Sequence, residues 1–163
     1  VRTEPITPYA EQLGETFLSY AARQPEPLLA ALAQFELALV RAKKGDDTEY
    51  RRLLVSAERK YDSGRFLEAI GDFRRALAIR STGRAHAGLA RALYDANDAP
   101  RALQELEAAI AEDGRYAPAW LLLGEIHQGE GRVGQARAAY ERFLQLDPRG
   151  ERADAVREIV ARM

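Results

Sequence analysis

The sequence predicts an all-α protein built from stacked helix–turn–helix units, and three observations predict it. Small buried-type residues recur at a near-constant interval: Ala136 has counterparts at Ala102 and Ala69, spacings of 34 and 33 residues. Larger apolar residues keep the same register, with Tyr140 matched by Leu106 and Phe73, and Phe143 matched by Ala109 and Ala76. Turn residues keep it too, at Gly64, Asn97 and Gly131. Both residue types tolerate the positive φ that tight interhelical turns need.

The elements follow in chain order. Residues Val1 to about Ile6 read as extended. Thr7-Pro8 is a helix start, because Thr can cap and Pro fits the first helical position. A helix from Pro8 to about Arg23 puts Leu13, Phe17 and Tyr20 on one side. Gln-Pro-Glu-Pro at 24–27 breaks it. A second helix from about Pro27 to Lys44 carries Leu28, Leu32, Phe35 and Leu39 at helical spacing, widened by Leu29, Ala33 and Val40. Lys43 and Lys44 complement its dipole, and Gly45 is its expected C-terminal cap. Residues 1–49 therefore form an N-terminal helix pair of mildly acidic charge. It serves either as a cap on the first repeat or as a separate adaptor element.

Asp46-Asp47-Thr48 is expected to cap the next helix. Three repeats then occupy 50–82, 83–116 and 117–150. In the first, helices run to about Ser63 and from Phe66 to Arg80, with Ser81-Thr82-Gly83 as the break. In the second they run to about Ala96 and from Ala99 to Glu112, with Pro100 in the first turn and Asp113-Gly114 as the stop. The third closes on Pro148-Arg149-Gly150. A last helix, about Glu151 to Met163, places Val156, Ile159, Val160 and Met163 on one face, as a capping helix does.

Counted from Ala117, the third repeat has Trp120 at position 4, Leu123 at 7, Gly124 at 8, Ala136 at 20, Tyr140 at 24 and Pro148 at 32. This resembles the tetratricopeptide repeat, a unit of about 34 residues. The resemblance covers about Tyr50 to Gly150. The first two copies are looser, with Leu53 and His86 in place of Trp120, and Ser56 and Leu89 in place of Leu123. It implies a right-handed α-solenoid whose first helix in each repeat lines a concave groove, chiefly through positions 2, 5, 9, 12 and 13. Carried over, the groove residues are Arg51, Leu54, Glu58 and Tyr61 from repeat one, Arg84, Ala87, Arg91 and Tyr94 from repeat two, and Leu121 and Glu125 from repeat three. Asp62, Asp95, Pro118, Gln128 and Gly129 occupy the remaining positions. Tyr and Arg are enriched at binding hot spots.

Some members of that family clamp a terminal carboxylate of a chaperone tail. The clamp uses Lys and Asn at positions 5 and 9 of repeat one, Asn at 6 of repeat two, and Lys and Arg at 2 and 6 of repeat three. Here those positions hold Leu54, Glu58, Gly88, Pro118 and Leu122. None matches, so the expected ligand is another extended peptide or amphipathic helix.

The totals narrow the function. Net charge is −1 with 30% charged residues, so no basic field marks a nucleic-acid binder. No apolar run reaches the roughly 18 residues of a membrane span. Cysteine is absent, which removes disulfides and thiolate chemistry. Gly129-Glu-Gly131-Arg-Val-Gly134 has the G-x-G-x-x-G spacing but joins two helices, not a strand and a helix. Neither His86 nor His127 has a second histidine or cysteine at i+3 or i+4, so no metal site is expected. No catalytic constellation and no cofactor site are read. The expected function is a non-catalytic protein-interaction module that binds a peptide or helix of a partner protein. The alternative is an architectural segment, with a homodimer as its form. The expected compartment is cytoplasmic, with a processed periplasmic protein as the alternative. A chain opening on Val1 reads as a segment of a longer protein or one that has lost a leader.

Overall fold

The computed structural model describes residues 27–163, with side chains described from residue 37. The expected helix from Pro8 to Arg23, and the apolar stripe from Leu28 to Phe35, lie outside these. The chain divides into two compact units, residues 1–49 and 50–163. The described residues hold seven helices and no strand: α1 Pro27–Asp62, α2 Phe66–Ile79, α3 Gly83–Asp95, α4 Ala99–Glu112, α5 Ala117–Gly129, α6 Val133–Leu146 and α7 Ala153–Arg162. The fold is an all-α helical repeat.

One boundary differs from expectation. Gly45 does not cap a helix, and Asp46-Asp47-Thr48 does not start one; α1 runs straight through them. The Thr48 hydroxyl donates to the Lys44 carbonyl at 3.0 Å, a bond one turn back along the helix. A glycine inside a helix costs only about 1 kcal/mol relative to alanine, too little to break a long one by itself.

Elsewhere the three turns within repeats repeat one another. Gly64, Asn97 and Gly131 have φ of 73°, 66° and 73°. In each turn the positive-φ N–H donates to the carbonyl three residues back, and the next N–H donates five back: Gly64 to Tyr61 and Arg65 to Lys60, Asn97 to Tyr94 and Asp98 to Leu93, Gly131 to Gln128 and Arg132 to His127. That is a Schellman closure, and it folds each second helix back onto the first. Caps differ among repeats. The Thr82 hydroxyl accepts from Ala85 N at the start of α3, and Asp98 accepts from Arg101 N at the start of α4, while Arg65 and Arg132 cap nothing with their side chains.

The small residues do what their spacing requires. Ala57 and Ala90 on first helices, and Ala69, Ala102 and Ala136 on second helices, are wholly buried. Phe73, Leu106 and Tyr140 fill the space beside these contacts. One apolar cluster joins repeats one and two to the start of repeat three. A second gathers Ala136, Tyr140, Phe143 and Val156, with Ile159, Val160 and Met163 of α7 packed on it. Thus α7 covers the flank of the last repeat. The one buried charge in the described core is Asp72. It accepts from Ser56 and Lys60, each at 2.6 Å, with Arg75 at 3.6 Å. Burial pushes its carboxyl up, but the bonds from Lys60 and Ser56 outweigh that and hold it below the usual carboxylate range.

Candidate functional site: a groove across the first helices

First helices of successive repeats present their outward residues side by side. Between the C-terminal part of α1, α3 and α5 lies a cleft of about 590 Å³. Seven of the ten named groove residues line it, Glu58, Tyr61, Arg84, Ala87, Arg91, Leu121 and Glu125, and Pro118 at position 2 of repeat three joins them. Three do not. Leu54 is 6% exposed and belongs to the core. Arg51 is exposed but does not line the cleft. Tyr94 is drawn aside into the next repeat, where its hydroxyl lies 2.6 Å from the point a Cβ on Gly129 would occupy. A glycine there leaves the hollow that the phenol fills.

Five further residues line the cleft that position-by-position reading misses: Phe73, Gly88, Tyr116, Leu122 and Arg152. Phe73 lies on a second helix. Its ring edge occupies the space a side chain at 88 would need, so Gly88 is what exposes it to the floor. Tyr116 precedes α5 and Arg152 precedes α7, so neither has a position on a first helix. The signal for Phe73 was present in the sequence, in the missing side chain at 88 beside the small Ala87.

The charged groups are arranged in pairs. Arg84 donates to Glu58 at 2.7 Å and Arg152 to Glu125 at 2.8 Å. Both pairs are largely exposed, so each contributes little to stability and a ligand can exchange partners with it. Arg91 lies over the Tyr61 ring, 4.2 Å from its centroid. The Tyr61 hydroxyl donates to Asp95 of the next repeat. Burial, then that bond and the Asp95 charge, push the Tyr61 phenol up to about 12 against the pull of Arg91. Burial likewise raises Tyr116. Both phenols are therefore neutral donors at pH 7. A second cleft of about 370 Å³ shares Leu121, Glu125 and Arg152 with the first and extends to Ile159 on α7. In it the Tyr140 hydroxyl donates to Gln128 at 2.6 Å.

Away from the groove the fold assembles a Ser–His–Glu chain that spacing alone does not reveal. Ser81 Oγ is 3.1 Å from His86 Nε2, and His86 Nδ1 is 2.7 Å from Glu105 Oε2. The serine proton goes elsewhere: Ser81 donates to Glu112 at 2.6 Å. None of the clefts described here is lined by these residues. The chain ties the repeat junction to α4 and does not present an activated nucleophile. His127 stands apart, its Nδ1 buried without a partner; burial and then Arg132 depress its basicity. Among the described residues no cluster of three or more His, Asp or Glu could hold a metal ion. Gly129, Gly131 and Gly134 end one helix, make the turn and begin the next, so no phosphate loop forms.

The tetratricopeptide repeat family model matches residues 54–118 and 87–151, more than half of the chain. The protein belongs to the tetratricopeptide repeat family. A TPR repeat-containing protein of Pseudomonas aeruginosa is 39% identical over 57 residues, which are 35% of this chain and 54% of that protein. The Hsp70-Hsp90 organizing protein of Triticum aestivum is 33% identical over 92 residues, 56% of this chain and 16% of that protein. The chain thus matches only about half, or less, of the length of these curated relatives. Among solved structures, the first TPR domain of Spaghetti (RPAP3) bound to an HSP90 peptide superposes with a TM-score of 0.64 at 18% identity, over 71% of this chain and 92% of that one. At that identity the likeness is one of fold. No described helix is long and apolar enough to cross a membrane.

Proposed function

We propose that this TPR array is a protein-interaction module that holds an extended peptide segment of a partner protein in the groove of α1, α3 and α5, and does no chemistry of its own. The observation that carries the reading is the composition of the cleft. Its floor is apolar, small at Ala87 and Gly88 above Phe73 and flanked by Leu121 and Leu122, and its walls are phenols, guanidinium groups and the Glu58 and Glu125 carboxylates. A floor without bulk lets a peptide backbone lie close, and wall groups of this kind suit polar side chains and backbone carbonyls. The bound peptide in the Spaghetti structure supports the mode, though the clamp residues for such a tail are absent here.

The test places a photo-crosslinking residue at Leu121, in the groove, and in a second variant at Val133, which is exposed and outside it. Adducts to one segment of one partner from position 121 alone support groove binding. Adducts from 133 with none from 121 refute it.

A further inference from the structure

We propose that the groove reads an acidic side chain in the interior of its peptide, and that Arg91 is the residue that reads it. This rests on the groove-binding reading and adds the chemistry of one recognised residue. Three guanidinium groups and two carboxylates line the cleft. Arg84 is paired with Glu58, and Arg152 with Glu125. Arg91 makes no ion pair among the described residues. Asp95, which faces the same stack, accepts the Tyr61 hydroxyl and does not pair with Arg91. Of the three guanidinium groups that line the cleft, Arg91 is thus the one that no carboxylate pairs with directly, and it sits on α3, the middle helix.

Arg91 is also held ready. Its guanidinium lies on the Tyr61 ring. That ring is fixed by Asp95 at its hydroxyl and by Phe66, whose ring centroid is 5.5 Å away. Contact with the ring face restrains the guanidinium and still leaves N–H groups to meet a planar acceptor. Much of the side-chain entropy that would oppose binding is already lost. A carboxylate accepting two N–H bonds matches that fork.

The position of Arg91 selects an interior side chain over a chain end. From α3 the cleft continues to Glu58 on α1 in one direction and to Leu121 and Glu125 on α5 in the other. Beyond Arg152 it meets the second cleft, which reaches α7. Helix spacings of 8–10 Å place about 25–30 Å between α1 and α7, room for about eight extended residues. A terminus at Arg91 would leave one half of this path empty. A side-chain carboxylate lets the chain fill both halves, with apolar neighbours over Ala87 and Leu121.

The probe is a synthetic library of random peptides of about twelve residues, acetylated and amidated so that no terminal charge exists, a length that covers the groove. Wild type should enrich Asp or Glu at one interior position beside apolar residues. Arg91→Gln should bind the selected peptides about tenfold or more weakly, as expected for a charge-assisted pair, and should lose the acidic preference while keeping the apolar one. Arg91→Glu should select Lys or Arg there. Arg91 is exposed, so these variants should keep the wild-type helical circular dichroism and melting temperature. An acidic preference that survives both changes, or no acidic preference in wild type, overturns the proposal. Leu121→Asp separates the two levels. Peptides lost by Leu121→Asp but indifferent to Arg91 leave groove binding standing and sink only the role of Arg91. Peptides indifferent to both sink the groove itself, and a library with no enrichment sinks both.

Discussion

The ring of Tyr140 on α6 lies so close to Gly124 on α5 that a Cβ at 124 would come within 2.5 Å of the ring carbons. The ring is 1% exposed and its hydroxyl is tied to Gln128, so it cannot withdraw freely. Gly124→Ala adds a single methyl where none fits. It should destabilise the protein by about 1–3 kcal/mol, the usual cost of overpacking a core. Trp120, the single tryptophan, donates to the Gly114 carbonyl at 3.0 Å and packs on the same cluster. Its emission during urea unfolding measures the loss. An unchanged midpoint would show that the two helices separate without cost.

Gly45 provides the opposite case. It lies inside α1, and a Cβ added there meets nothing within 4 Å. Gly45→Ala should stabilise the helix by about 0.5–1 kcal/mol, by raising helix propensity and restricting the unfolded chain. Were Gly45 a left-handed cap, as its place after Lys43 and Lys44 suggests, the same change would destabilise. Helix content and thermal midpoint by circular dichroism distinguish the two by sign.

These two glycines show what was legible in the sequence and what was not. Gly64, Asn97 and Gly131 were readable as turns because period and residue type agreed, and all three have the positive φ expected. Gly45 had the residue type without the period. In the groove, Tyr61 and Tyr94 occupy equivalent positions and diverge because of what the next repeat offers each. Tyr61 meets Asp95 and stays at the cleft, whereas Tyr94 meets Gly129 and sinks beside it. A position rule cannot see that, since the neighbour is some 34 residues away. Tyr116 and Arg152 escaped for a different reason: they lie just outside the first helices on which the rule is written. The Ser81–His86–Glu105 chain spans a linker and two helices, α3 and α4, so only the folded backbone brings it together.

Asp72 predicts an acid limb in the stability curve. Burial raises its carboxyl, but Lys60 and Ser56 hold it lower overall, so its folded value lies below the unfolded value near 3.9. A depressed carboxylate contributes stability that is complete above the unfolded value and is lost as pH falls through the folded one. The melting temperature should therefore fall as pH drops below about 4. Asp72→Asn should lower it at pH 7, where Lys60 loses its charged partner, and flatten the dependence below pH 4. A variant that keeps the wild-type acid slope would assign that slope to other carboxylates.

Tyr61 and Tyr140 predict the alkaline limb. Burial is the first cause at both, and each phenol is pushed up to about 12. At Tyr61 the Asp95 carboxylate adds to this, because it accepts the hydroxyl proton and opposes a second negative charge. The unfolded chain releases these protons near pH 10, whereas the folded protein holds them longer. Their contribution to stability is thus complete below about pH 10 and disappears as pH rises through about 12. Absorbance at the tyrosinate band should show two phenols, Tyr61 and Tyr140, that release their protons only near pH 12. Tyr61→Phe should remove one of them and shrink the alkaline loss of stability between about pH 10 and 12. It should also release Arg91 from its oriented stack only in part, because a phenyl ring still presents a π face while the hydroxyl anchor to Asp95 is gone. Peptide affinity should then fall less than in Arg91→Gln. A fall as large as that of Arg91→Gln would mean that the hydroxyl anchor to Asp95, and not the ring face alone, keeps Arg91 available to the peptide.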